Sequence, residues 1–250
     1  MEIEQAFVEA KAEIRRHARG KREAAQQKAY LKVPYPLIGH RLPQMRAAAK
    51  AARKACPKPP HDDLVRALDA LWRSELYEDK LLAILLAGYY EKLLTAADAR
   101  DVFLGWAREL VGWSLLDGLA MDVMGKIALR EPGLFRDSRA WVREPSFWAR
   151  RAALLVHLPA IRADALEFDI LRQSAEAVIA EREFFITKAL GWVLREMFDR
   201  MPREAEKLFR IVGGRAAPLT RREALRKLDP EHRDRLLAES HAPVSKSRKG

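Results

Sequence analysis

Apolar residues recur at three-and-four spacing along nearly the whole chain, while the sustained alternation of a half-buried strand and the Asn-Gly turn of a hairpin are missing. The pattern predicts an all-helical fold. Capping or turn residues precede apolar-periodic runs at Asp62/Asp63, Thr95, Glu131-Pro132, Ser146 and Thr220, which marks these as helix starts. Pro132-Gly133, Pro145, Pro202, Gly213-Gly214 and Pro218 punctuate the runs. Alternate helix starts lie roughly 33 to 38 residues apart, the range of two-helix repeats, so the chain reads as a solenoid of stacked antiparallel helix pairs. The repeats share no obvious consensus, which leaves an irregular helical bundle as the alternative. The most apolar stretch, Leu81 to Tyr90, is about ten residues where a membrane span needs about twenty, and it reads as a buried helix.

Two segments depart from the pattern. From Leu31 to Pro60 there is no acidic residue, whereas Lys32, Arg41, Arg46, Lys50, Arg53, Lys54 and Lys58 are basic. Pro34, Pro36, Gly39 and Pro43 make the start of this segment a loop, and the remainder a basic helix. The stretch Val244 to Gly250 has no core-forming pattern, so the expected organisation is a single helical-repeat domain over 1–240 and a disordered basic tail over 241–250. Composition agrees with a folded, basic protein: 250 residues, 49% hydrophobic, formal net charge +11. The one cysteine, Cys56, excludes a disulfide framework and a multi-cysteine zinc site, and points to a reducing compartment. Met1-Glu2-Ile3-Glu4 opens a charged amphipathic segment unlike a secretory signal, so a cytoplasmic protein is expected, placed at the nucleoid in a bacterium.

Several catalytic devices are absent: a Gly-rich phosphate loop ending in Lys-Ser/Thr, His-Glu-x-x-His and Gly-x-Ser-x-Gly. The six histidines show no ligand spacing, and no metal or cofactor is expected; His157, alone on a helix face, reads as structural. In Gly112 to Asp117, Trp113 and Asp117 are four apart and share a helical face, which sets a carboxylate beside an aromatic surface. A core tryptophan with an aspartate at its solvent edge fits the same spacing. Arg150 and Arg151 are consecutive in an apolar helix, about 100° apart, so at least one leans toward the packed side. From Glu183 to Glu196, Lys188, Trp192 and Arg195 form a basic-aromatic stripe suited to a polyanion, with core packing as the other reading of Trp192 and Gly191 allowing close helix approach.

Three blocks, Phe147 to Leu155, Glu183 to Glu196 and Ala217 to Ala224, resemble in order and spacing the signature blocks of the DNA alkylation repair enzyme family, specifically its AlkD-like alkylpurine DNA glycosylases. Upstream, Lys28-Ala29-Tyr30-Leu31-Lys32 and Gly39-His40-Arg41-Leu42-Pro43 are similar to the family's N-terminal region, so the resemblance covers about 25–228. It implies a HEAT-like solenoid with a concave basic face for duplex DNA. The implied reaction is hydrolysis of the N-glycosidic bond of cationic N3- or N7-alkylated purines, without metal or cofactor, by a monofunctional enzyme that acts as a monomer and without a membrane. Trp113, Asp117, Arg151 and Trp192 take the catalytic positions. The DNA contacts expected are Tyr30, Lys32, Arg41, Arg46, Lys50, Arg150, Lys188, Arg195, Arg221 and Arg222. At the first block the family pattern often reads Trp-Trp-Asp-x-x-Asp, whereas here Gly112 and Ser114 replace the first Trp and the middle Asp.

The chemistry suits these residue types. A cationic alkylpurine is already a good leaving group, and the sugar it leaves develops oxocarbenium-like charge that a carboxylate stabilises. An indole face favours a cationic over a neutral base by about 0.5 to 2 kcal/mol. A noncatalytic binder of DNA or structured nucleic acid on the same scaffold is the rival reading, since a basic face alone gives sequence-independent affinity. A protein-interaction scaffold is a third, weakened by the acid-free basic run.

Overall fold

The computed structural model describes residues 1–241, with only the backbone of His241, so of the tail expected at 241–250 the part from 242 on lies outside the described residues. Among the described residues every regular element is helical. In chain order the α-helices are α1 (Ile3–Arg16), α2 (Lys21–Leu31), α3 (Leu42–Ala55), α4 (His61–Trp72), α5 (Tyr77–Tyr89), α6 (Ala96–Asp98), α7 (Leu104–Glu109), α8 (Trp113–Gly118) and α9 (Gly125–Arg130). They continue as α10 (Gly133–Trp141), α11 (Phe147–Leu155), α12 (Leu158–Arg162), α13 (Phe168–Val178), α14 (Phe184–Arg200), α15 (Pro202–Val212), α16 (Pro218–Ala224) and α17 (Pro230–His241). None is long and apolar enough to cross a membrane.

The chain divides into two compact units, Met1–Asp137 and the residues from Ser138 onward, with the division falling inside α10. In the first unit α1 packs on α3, α3 on α5, and α5 on α8 and the turn that follows it. In the second, α11, α14 and α16 pack in sequence, as do α13, α15 and α17. In these series each helix packs on the equivalent helix of the next hairpin, which is how a repeat too small to own a core shares one.

The spacing read from the sequence reappears as a bonding register. In the first unit Trp106 donates to Asp69 (3.0 Å), Tyr77 bonds Ser114 (2.8 Å), His61 bonds Asp98 (2.9 Å) and Arg100 donates to Asp137 (2.8 Å), each across 37 residues. In the second unit the offset falls to 34 for Arg162 and Glu196, 31 for Arg150 and Glu181, and 28 for Arg195 and Glu223. The Trp72 and Trp106 rings stack at 4.7 Å and anchor the first core.

Local chemistry explains some helix boundaries. Thr95 caps α6 through a capping box with Asp98. Asp62 and Asp63 lie in the first turn of α4 rather than at its cap, where their charge favours the helix dipole. Thr220 is a correction: α16 starts at Pro218, and the buried Thr220 hydroxyl donates instead to the Thr187 carbonyl at 2.9 Å.

The segment from Trp113 to Arg130 has a feature that three-and-four spacing does not predict. Its buried apolar side chains come in pairs every four positions: Leu115/Leu116, Leu119/Ala120, Val123/Met124 and Ile127/Ala128. An unbroken α-helix would rotate such a pattern by about 40° at each step. The π-helical turn Leu119–Met124 between α8 and α9 puts more residues into a turn and keeps the pairs on one side. The same device, Ala99–Phe103, joins α6 to α7.

Candidate functional site

The first turn of α8 is set by its entry. Gly112 has φ +137°, and a Cβ there would stand 2.5 Å from Val33 Cγ1, so no side chain fits while Val33 is in place. Gly112 is thus a backbone requirement of this chain. Trp113 follows, half-buried, with its ring edge-to-face against Tyr30 at 5.7 Å and 85°. Tyr30 itself is 70% exposed. One helical turn on, Asp117 is only 9% exposed. Neither residue is an ordinary surface side chain.

Behind this turn lies a bonded network that sequence reasoning missed. Ser114 Oγ is 2.8 Å from the phenol of Tyr77, whose ring stacks on His40 at 5.6 Å. Burial pushes the Tyr77 phenol up to about 12. Its neighbour Glu78 is fully buried and accepts from the amides of Ile38 (3.2 Å) and Gly39 (3.0 Å), with His40 Nδ1 at 3.2 Å. Tyr35 Oη accepts from the Val111 amide at 2.8 Å. Burial, partly offset by that bond, raises the Tyr35 phenol as well. The loop before α3 is therefore clamped to the start of α5 on one side and to the entry of α8 on the other. The only sequence signal was the acidic pair Glu78-Asp79 ahead of an apolar run, which reads simply as a favourable first turn.

Lys32, Arg41, Arg46 and Lys50 are all exposed, and among the described residues none of them has an ion-pair partner within 4.0 Å. Lys32 closes α2 in the left-handed conformation, Arg41 caps α3, and Arg46 and Lys50 lie one turn apart on it.

In the second unit the cations are more engaged. Arg151 is 4% exposed and donates to the Phe185 carbonyl at 2.6 Å, so it is the arginine that leans inward. Arg150 donates to Glu181 (3.0 Å) and to the carbonyls of Glu144 (2.7 Å) and Pro145 (2.9 Å). Arg195 binds the Glu223 carboxylate (2.7 Å) and carbonyl (3.0 Å). Lys188 is exposed, with its ammonium 5.5 Å over the Phe184 ring. Trp192 is half-buried and four residues from Glu196, whose carboxyl is lowered first by Arg162. Arg221 is half-buried and Arg222 exposed. Gly191 behaves as expected: a Cβ would meet Glu223 Cβ at 2.6 Å and the Thr220 carbonyl at 3.0 Å, so α16 lies directly on α14. His157 is fully buried and pushed down to about 3 by desolvation, a neutral core residue 3.3 Å from Ser138 Oγ. Among the described residues no three His, Cys, Asp or Glu side chains are grouped to hold a metal ion.

A family model described as DNA alkylation repair enzyme matches residues 10–228. The chain belongs to that family. Among solved structures, this DNA alkylation repair family member is similar to one described as a predicted DNA alkylation repair enzyme from Enterococcus faecalis, with TM-score 0.75, 24% identity, and coverage of 84% of this chain and 96% of that one. It is also similar to AlkD2 from Streptococcus mutans, with TM-score 0.51, 15% identity, and coverage of 89% and 99%. At these identities the likeness is one of fold, an all-helical repeat architecture. No curated protein matches the sequence.

Proposed function

We propose that this family member is a DNA glycosylase that hydrolyses the N-glycosidic bond of cationic N3- or N7-alkylated purines, such as 7-methylguanine and 3-methyladenine, in duplex DNA. The observation that carries the reading is Asp117, a carboxylate 9% exposed and one helical turn from the half-exposed Trp113 indole. Desolvating a carboxylate is costly, and one held at this place is positioned to meet the positive charge that develops on the sugar.

In the proposed reaction the bond between C1′ and the purine breaks with its electron pair going to the base, which leaves neutral. Positive charge on the sugar is stabilised by the Asp117 carboxylate, and water adds at C1′, giving up its proton toward that carboxylate. Trp113 offers an indole face that discriminates for a cationic nucleobase. In the second unit the resemblance assigns Trp192 a like aromatic role. It assigns Arg151 the backbone phosphate, and the tie from Arg151 to the Phe185 carbonyl fixes this guanidinium before DNA arrives. The contacts best suited to phosphates are Lys32, Arg41, Arg46, Lys50, Lys188 and Arg222, whose side chains are exposed.

Incubation with duplex containing 7-methylguanine tests the reading. Free 7-methylguanine is expected to accumulate above the protein-free control, leaving an abasic site with the strand intact. Steep, salt-dependent binding with no free base released would replace the reading with that of a noncatalytic DNA binder.

A further inference from the structure

We infer that a cleft beside α8 holds one phosphodiester of the DNA backbone, with the Ser114 hydroxyl as its donor; the inference rests on the proposed binding of duplex DNA. The cleft has a volume of about 300 Å³ and lies within the first unit, between α3, α5 and the run from α8 to α9. The period-four winding of that run brings Ser114, Gly118, Asp122 and Lys126 to the cleft as a single row. Arg46 reaches it from α3, and Leu81 and Leu85 of α5 give it an apolar wall.

Ser114 is the centre of the argument. A phenol is the better hydrogen donor and an aliphatic hydroxyl the better acceptor, which favours donation from Tyr77 to Ser114 across the 2.8 Å pair. Tyr77 is buried and stacked on His40, and it cannot turn its proton to water. With its oxygen occupied by Tyr77, the half-exposed Ser114 keeps its own proton for an acceptor in the cleft.

The charges select the acceptor. Arg46 has no ion pair among the described residues, and Lys126 lies 3.8 Å from Asp122, both exposed. Two cations and one carboxylate leave a single positive charge, which matches the monoanion of a phosphodiester better than the dianion of a terminal phosphate. The apolar wall suits the deoxyribose beside it. Ser114 follows Trp113 and precedes Asp117 by three positions, so a phosphate bound there fixes a strand against the helix that carries the proposed catalytic carboxylate.

The test is binding of undamaged, fluorescently labelled duplex over a range of salt, by the full chain and by the variants Ser114→Asp and Lys126→Gln, with folding checked by melting temperature. Lys126→Gln is expected to flatten the log-log salt slope by about 0.9. Ser114→Asp is expected to weaken binding about fivefold at low salt. A duplex scanned with single neutral methylphosphonate linkages should contain one linkage that weakens wild-type binding but adds nothing to the loss in Ser114→Asp. Lys126 is on the surface, so its variant keeps the test independent of the packing of α8. Wild-type slope and affinity in both folded variants, with the wild type itself steeply salt-dependent, would overturn the cleft alone. A flat wild-type slope would overturn the DNA-binding reading and the cleft with it.

Discussion

Helices α3 and α14 both carry basic side chains at helical spacing, and they use them differently. On α3, Arg46 and Lys50 stand exposed, and neither has an ion-pair partner among the described residues. On α14, Arg195 is bound by Glu223 from α16, just as Arg150 of α11 is bound by Glu181. Arg195 and Arg150 act as ties between successive hairpins, whereas Arg46 and Lys50 of α3 are available to a partner. A basic residue contributes to a polyanion-binding face only after its own carboxylate neighbours are counted. Positioning differs as well: α3 is delivered by a loop clamped to the buried Glu78, and α14 by close packing of Gly191 on α16.

The largest effect that sharpens this contrast is expected from Glu78→Ala. It leaves the Ile38 and Gly39 amides without their acceptor and should cost about 3 kcal/mol in urea unfolding, with a parallel loss of duplex affinity as α3 loses its anchor. Unfolding at the wild-type denaturant midpoint would break the clamp argument. Next, Arg46→Gln combined with Lys50→Gln should flatten the salt slope of duplex binding by about 1.8 with the melting temperature unchanged. Arg195→Gln should do the reverse, costing about 1 kcal/mol of stability with the salt slope kept. If the Arg195 variant flattened the slope as the α3 pair does, the distinction between ties and contacts would fail.

Acid stability gives the smallest effect. Burial alone would raise the Asp79 carboxyl, but hydrogen bonds from Arg15 and Ser74 and the charge of Lys11 hold it below its ordinary 3.8. Its folded value is depressed, so its contribution is present above 3.8 and is lost as pH falls through the folded value. Urea melts taken stepwise into acid should show stability falling there, with a shallower fall in Asp79→Ala. His61, raised first by Asp62 and then by Asp98, has the opposite sign and contributes below its ordinary 6.5, an increment lost as pH rises through its folded value.

Much of the fold was legible because amphipathic spacing is local information. The hairpin spacing survives as the 37-residue register of Trp106 with Asp69 and of Tyr77 with Ser114. The role of Gly191 was legible for the same reason, since a glycine in an apolar helix face announces a close neighbour. What stayed hidden depends on partners distant in sequence. Arg150 and Arg195 looked available because Glu181 and Glu223 lie 31 and 28 residues away. Ser114 looked like a mere departure from a pattern until Tyr77 was seen to reach it. Glu78 gave no sign that it would turn to amides some forty residues upstream rather than to water. The period-four pairs from Leu115 to Ala128 were present in the sequence, but three-and-four spacing absorbs them, so the π turn was not read.

The central claim is that Asp117 acts on the reacting sugar, and single-turnover excision by Asp117→Asn on a 7-methylguanine duplex addresses it most directly. The amide keeps size and much of the hydrogen bonding while removing the charge, so the rate should fall by roughly 100-fold or more. Melting temperature should hold, and affinity for undamaged duplex should be equal or tighter, because a carboxylate near phosphates repels them. An Asp117→Asn protein that released 7-methylguanine at the wild-type rate would contradict the account.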